Sequence, residues 1–249
     1  MIGLIRSEVV KFRSVRSTVV LLTVAGASWC SSPSSRRDIA HHVDDPGTVA
    51  PQQLGDLTGG VALAVFLFGA LGVQVIGQEY RFNTIRTTLA AAPNRWKVLT
   101  AKFVVVTVAC AAMSALMVGA CLLVGQLMLD GFSIDGTDRR IAWAIPLFAA
   151  GWSAMGLGVG AIVRQPIAGI LILLGEAFVA ENVLVNLFPR TAPWLPFANG
   201  VQMAMRDSGG DGPGGEVVLR SVLAGGIYFF LVTAVVLAVG AYLANERDA

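Results

Sequence analysis

From residue 57 to residue 77 the chain runs for roughly twenty residues with no charge and one polar interior side chain, Gln74. That length matches a ~30 Å hydrocarbon layer at helical rise. Inside such a layer every backbone N–H and C=O must find a partner within the protein, so the run can only be helix or closed barrel. A barrel would require short alternating segments, and these apolar runs are continuous. Further apolar runs occupy 18–34, 98–129, 141–163, 167–188 and 219–244. The expectation is an all-α integral membrane protein with six transmembrane helices in one domain. Charged residues make up 14% of the 249 residues, against about 25% in soluble domains.

The polar interval 78–102 follows the second span and carries five of the eighteen Lys+Arg: Arg81, Arg86, Arg95, Lys97 and Lys102. Glu79 is its one acid. Tyr80, Thr84, Ile85, Thr88 and Leu89 recur at helical spacing, and Ala90, Ala91 and Ala92 favour helix. Pro93 ends that helix and Asn94 can cap the next, which enters the third span. Two readings fit: a helix that presses on a partner in the cytosol, or a basic anchor that only fixes topology.

Residues 1–17 form a basic amphipathic pattern, with Ile2, Ile5, Val9 and Phe12 on one helical face and Arg6, Lys11 and Arg13 off it. This suits a helix lying along the inner leaflet. A signal peptide is disfavoured by the length of the basic region and its own apolar stripe. With the N-terminus, the 78–102 interval, the 164–165 turn and the C-terminal tail on one side, that side holds eleven of the eighteen basic residues. The positive-inside rule therefore puts both termini in the cytoplasm.

Chemistry is sparse. The 36–56 loop contains His41 and His42 beside aspartates, and a solvated loop is favoured over a metal site. Cys110 and Cys121 are about 16 Å apart along one helix, too far for a disulfide. No phosphate loop or dinucleotide fingerprint is present. Gly151-Trp152-Ser153-Ala154 is weakly similar to an intramembrane serine protease motif, but no span contains a histidine to serve as base. Gly156 and Gly160 form a GxxxG pair, which signals close helix packing.

The fifth span contains Glu176, Glu181, Asn182 and Asn186. A carboxyl at mid-membrane costs a few kcal/mol and must face protein or water. On a regular α-helix, residues five apart point about 140° from one another, so the two glutamates are not expected to form one dyad. They read either as lining for a substrate or proton path or as helix–helix hydrogen-bonding groups. Residues 189–215 then break the pattern with Pro189, Pro193 and Pro196 among Trp194, Phe197, Met203 and Met205. They read as a re-entrant or interfacial helical element at the outer surface.

The order of these features resembles the permease subunit of an ABC-2 type ABC transporter. The likeness rests on the basic amphipathic N-terminus, six spans, and the series Glu79, Thr84, Leu89, Pro93, Arg95 and Lys102 between spans two and three. The family's usual Gly before the Thr is Asn83 here. It extends over essentially the whole chain. The resemblance implies a bacterial cytoplasmic membrane protein that is not itself an enzyme. Two cytoplasmic ABC ATPase subunits would bind ATP–Mg, so this chain would hold no cofactor, and a second permease subunit, identical or homologous, would complete the complex. No nucleic acid partner is implied. Residues 1–17 would be an interface helix, with Ile5, Val9, Phe12 and Arg13 at its contacts. Glu79, Tyr80, Arg81, Thr84, Ile85, Arg86, Leu89, Pro93 and Arg95 would form the ATPase-coupling segment. Gln74, Glu176, Glu181, Asn182 and Asn186 would line a translocation path, and Pro193, Trp194, Pro196 and Phe197 an outer gate. Export of a drug, peptide or lipid-like substrate is the expected activity. A proton-coupled secondary carrier using Glu176 and Glu181, and a membrane assembly factor, are the alternatives.

Overall fold

The computed structural model describes residues 61–82, 95–128, 136–204, 211–212, 215–216 and 221–247. The predicted interface helix, the first span and the whole 83–94 segment lie outside the described residues, and with them Thr84, Ile85, Arg86, Leu89 and Pro93. What is described is almost entirely helical: α1 Val61–Arg81, α2 Arg95–Met128, α3 Gly136–Val163, α4 Pro166–Leu174, α5 Glu181–Leu187, α6 Pro196–Ala204 and α7 Val222–Arg247. A π-helical turn, Gly175–Ala180, joins α4 to α5 without a break, and a 3-10 turn, Pro189–Trp194, leads into α6. A two-residue antiparallel ladder pairs Asp211 with Glu216 and Gly212 with Gly215.

Four of these helical stretches are long and apolar enough to cross a membrane: Thr100–Leu123, Asp138–Val163, Pro166–Leu187 and Val222–Glu246. Of the predicted second span, 57–77, the described residues from 61 onward lie in α1. At about 1.5 Å per residue, the 34 residues of α2 reach about 50 Å, so α2 is longer than a ~30 Å hydrocarbon layer.

The bundle is organised around α3, whose apolar window is 72% buried against 22% for the other three. It packs on α1, α2 and α7. Small residues make this possible, because helices without a water-driven force between them gain chiefly from close van der Waals contact. A Cβ on Gly156 would run into the carbonyl of Gly69 on α1, and one on Gly240 of α7 would lie 2.7 Å from the carbonyl oxygen of Gly158. Thus α3 meets two neighbours backbone to backbone. The GxxxG pair Gly156 and Gly160 both face α1, the latter against Val73. Outward rows such as Val104 and Val108 on α2, and Ile227, Leu231 and Val235 on α7, are exposed apolar side chains that suit a lipid environment.

Several boundaries differ from the sequence reading. The helix α3 starts at Gly136, five residues before the predicted fourth span, and takes in Asp138, which is buried. It also accommodates Pro146, since neighbouring groups in a membrane bundle compensate for the missing N–H. Tyr80 and Arg81 do not open a separate helix but form the last turn of α1, and Phe82 still donates its N–H to the Gln78 carbonyl at 2.9 Å. The described residues of the 189–215 interval form a 3-10 turn, a short helix and the ladder. Of these, α6 packs on α3 and α7.

Candidate functional site

Antiparallel helices give the bundle two ends, one marked by Arg164 and the other by Trp194. At the Trp194 end, the decisive local feature is the π turn. In a π turn the N–H reaches the carbonyl five residues back, and here the Glu181 N–H donates to the Glu176 carbonyl. Residues five apart then share a face instead of diverging. The two glutamates are thereby brought together, which the geometry of a regular α-helix would not do. Glu176 Oε2 is buried with no hydrogen-bond partner among the described residues.

Glu181 is 4% exposed. Its Oε1 accepts the Phe197 N–H at 2.7 Å and its Oε2 accepts the Ala198 N–H at 2.7 Å. These are orphan donors in the first turn of α6, where negative charge is favoured by the helix dipole. A carboxylate from one helix therefore caps another helix. Pro196, at the helix start, has no N–H to satisfy. From inside α6, Asn199 donates Nδ2 toward the carbonyls of Leu195 at 2.7 Å, Pro193 at 3.2 Å and Ala192 at 3.4 Å. That residue ties the 3-10 turn to α6.

The same element is anchored by aromatic packing. Phe197 lies with its ring centroid 4.7 Å from that of Trp152, 5.8 Å from Phe148 and 6.0 Å from Phe178. Phe178 continues to Phe66 of α1 at 5.3 Å. Trp194 is 64% exposed, and its carbonyl accepts the Tyr228 hydroxyl of α7 at 2.8 Å. Of the four residues assigned to an outer gate, Phe197 is core, Trp194 is surface, and Pro193 and Pro196 are half-buried.

The remaining path residues are not gathered with the glutamates. Asn182 and Asn186 are exposed and turn back on their own helix, donating to the Phe178 carbonyl at 3.0 Å and the Asn182 carbonyl at 2.7 Å. Val73 of α1 abuts Gly169, and Phe66 abuts Phe178. That register sets the half-buried Gln74 about 10 Å along the helix from the level of Glu176.

No family model matches the chain, and no curated protein matches it in sequence.

At the Arg164 end, Glu79 and Lys102 form an ion pair with Lys102 Nζ 2.6 Å from Glu79 Oε1, the side chains being 14% and 3% exposed. It joins the last turn of α1 to α2, the two helices that bracket the 83–94 segment. Between α3 and α4, Arg164 takes φ 60°, an uncommon region for a residue with a Cβ, and Gln165 is extended ahead of Pro166. This conformation brings the Arg164 guanidinium 4.8 Å from the centroid of the Tyr80 ring, a cation–π distance. A Cβ on Gly77 would meet Pro166 at 2.9 Å, so α1 and the turn are in tight contact. Arg81 and Phe82 are exposed, with the guanidinium 5.7 Å from the ring. Glu79 and Tyr80 are thus engaged inside the bundle, and Arg81 faces outward.

Sequence reasoning did not find Asn199, Tyr228 or Arg164 as structural contacts. Asn199 carried a signal in its place three residues after a proline at a helix start. Arg164 carried none beyond the prolyl turn. An apolar groove of about 280 Å³ also lies between α1, α2, α3 and α7, lined by residues including Phe103, Leu157, Ala161, Leu237 and Ala241. Thr100 is its one side chain with a polar atom, so the groove offers space but no directional chemistry.

Proposed function

We propose that this chain is the membrane-embedded permease subunit of an ABC-2 type exporter, with six spans and both termini in the cytoplasm. In this reading the Arg164 end is cytoplasmic, and ATP–Mg is bound and hydrolysed by a separate ATPase subunit. The supporting observation is the ion pair between Glu79 and Lys102. Two positions of the sequence series, 23 residues apart, close the base of the 83–94 segment. Force applied to that segment passes into α1 and α2 together rather than being lost in a free loop. Through Tyr80 and Arg164 it also reaches the turn between α3 and α4.

The outward-facing Arg81, with Arg86 in the adjoining segment, supplies positive charge to a docking cleft on the ATPase. Asn182 and Asn186 on the exposed face of α5 favour a second permease copy there, since exposed amides in a span are costly in lipid. The substrate is drug-, peptide- or lipid-like and is handed outward past the Trp194 end. The test is Arg81→Glu with Arg86→Glu in the assembled complex. Loss of ATPase copurification and of transport is expected, and retention of both overturns the docking assignment.

The Glu176–Glu181 pair favours a second reading, a proton-coupled carrier that needs no ATPase. Purified chain in proteoliposomes, given a pH gradient and no ATP, distinguishes them: substrate movement under those conditions establishes the carrier.

A further inference from the structure

We propose that the apolar slot between α2 and α7 is a site for one acyl chain of a phospholipid, taken from the leaflet at the Arg164 end. The inference stands on the packing of the helices around the slot and does not depend on the transporter reading.

The slot follows from the way α3 holds its neighbours. The helix α7 is drawn onto α3 main chain to main chain: a Cβ on Gly158 would lie 2.9 Å from the Val236 carbonyl oxygen, and one on Gly240 would lie 2.7 Å from that of Gly158. The helix α2 also packs on α3, yet α2 and α7 scarcely touch each other. Between them α7 presents Ala234, Ala238 and Ala241, four and three residues apart and so on one helical face. Alanine is too short to reach Thr100 and Phe103 of α2, and a space of about 280 Å³ is left.

Chemistry and width narrow the occupant. Thr100 is the one lining side chain with a polar atom. A bound water needs several polar partners, which these walls do not offer. A further helix, about 10–12 Å across with its side chains, is too wide for the space. A single flexible alkyl chain meets both conditions. Inside a bilayer its gain is close van der Waals contact rather than transfer from water, and an alanine wall offers such contact along the length of a chain.

Position names the source. The α3 wall, Leu157 to Ala161, lies within about 10 Å of Arg164 in helical rise, and Ile76 of α1 lies about 8 Å from Arg81. Half of a ~30 Å hydrocarbon layer is ~15 Å, so these walls sit in one leaflet. The slot also opens sideways. Ala234 and Ala238 are exposed, and the adjoining Val104 of α2 and Val235 and Val239 of α7 belong to the outward apolar rows. A lipid chain enters laterally, with its glycerol end toward Thr100 and Ala241 and its methyl end toward Leu157 and Ala234.

The test uses purified full-length chain in phosphatidylcholine vesicles. These contain a trace of phosphatidylcholine with a diazirine in one acyl chain, either near the glycerol or at the chain terminus. After irradiation, proteolysis and mass spectrometry locate the modified residues. The near-glycerol probe is expected to mark Thr100 and Ala241, and the terminal probe Ala234 and Leu157. Ala238→Phe fills the slot and is expected to abolish these adducts while leaving those on the outward Val108 and Leu231. Val239→Phe, on the outward row, is expected to leave the slot adducts unchanged. If Ala238→Phe does not fold, Ala241→Leu is read in the same way. Slot adducts that survive the filling variant, or both probes marking the same residues, overturn the site. Adducts confined to the outward rows also overturn it, because the slot is then covered by protein or by another ligand.

Discussion

The backbone N–H of Glu181 reaches the carbonyl of Glu176 five residues back, and the side chains of the same two residues are brought together. One widened turn thereby converts two isolated acids into neighbours. It also sends one of them across to cap α6. Without the widening, the 3.6-residue period would carry Glu176 away from Glu181 and leave a carboxyl with no partner in the span.

Deleting one residue within Gly175–Ala180 restores regular α-helical spacing and separates the pair. The expected outcome is loss of the α6 cap and a fall in stability of roughly 2–3 kcal/mol, from the unsatisfied charged group. Thermal unfolding of the solubilised protein, compared with a deletion in the exposed C-terminal turn of α7, measures it.

Removing one member of the Glu79–Lys102 pair leaves the other charge buried without it. Glu79→Ala or Lys102→Ala is expected to destabilise by about 3–5 kcal/mol, whereas the double replacement costs less than the sum. A double-mutant cycle in thermal or chemical unfolding tests this, and strict additivity would contradict the buried pairing.

How much of this was visible in the sequence depends on the length scale of the signal. The all-helical class follows from uninterrupted apolar runs that only helix can satisfy. The Gly156–Gly160 spacing announced the close approach of α3 to a neighbour, although not that α1 was the neighbour. Glu176 and Glu181 were recognisable as costly residues, but their proximity was not, because a π turn leaves no composition or periodicity signal. Phe197, read from the sequence as an outer-gate residue, packs in the cluster around Trp152, a burial that an aromatic after a proline does not announce. Glu79 and Lys102 were visible as charges, yet only the tertiary contact joins them.

Asn199 holds the 3-10 turn through its amide donors, so charge at that site matters more than size. Asn199→Asp replaces the donor with an acceptor facing three carbonyls, and it is expected to be worse than Asn199→Ala. The alanine variant is expected to cost about 1–3 kcal/mol. Protease susceptibility near residue 194, alongside unfolding midpoints, separates the two.

Tyr80 opposes the left-handed Arg164. Tyr80→Phe keeps the ring face and is expected to lie within ~0.5 kcal/mol of the parent, whereas Tyr80→Ala loses about 1 kcal/mol or more. Arg164→Gly is expected to relieve the backbone while removing the ring contact, so its net effect is smaller than that of Tyr80→Ala. Parallel unfolding curves give the order.

The meeting of α3 with α1 and α7 through bare main chain has a consequence for how this bundle can diversify. A single added methyl on Gly156 strikes a carbonyl that cannot step aside, so the spine is closed to gradual adjustment by side-chain exchange. Descendants of this sequence are free to vary along the outward rows of α2 and α7, and the middle can shift only when two helices are altered in concert.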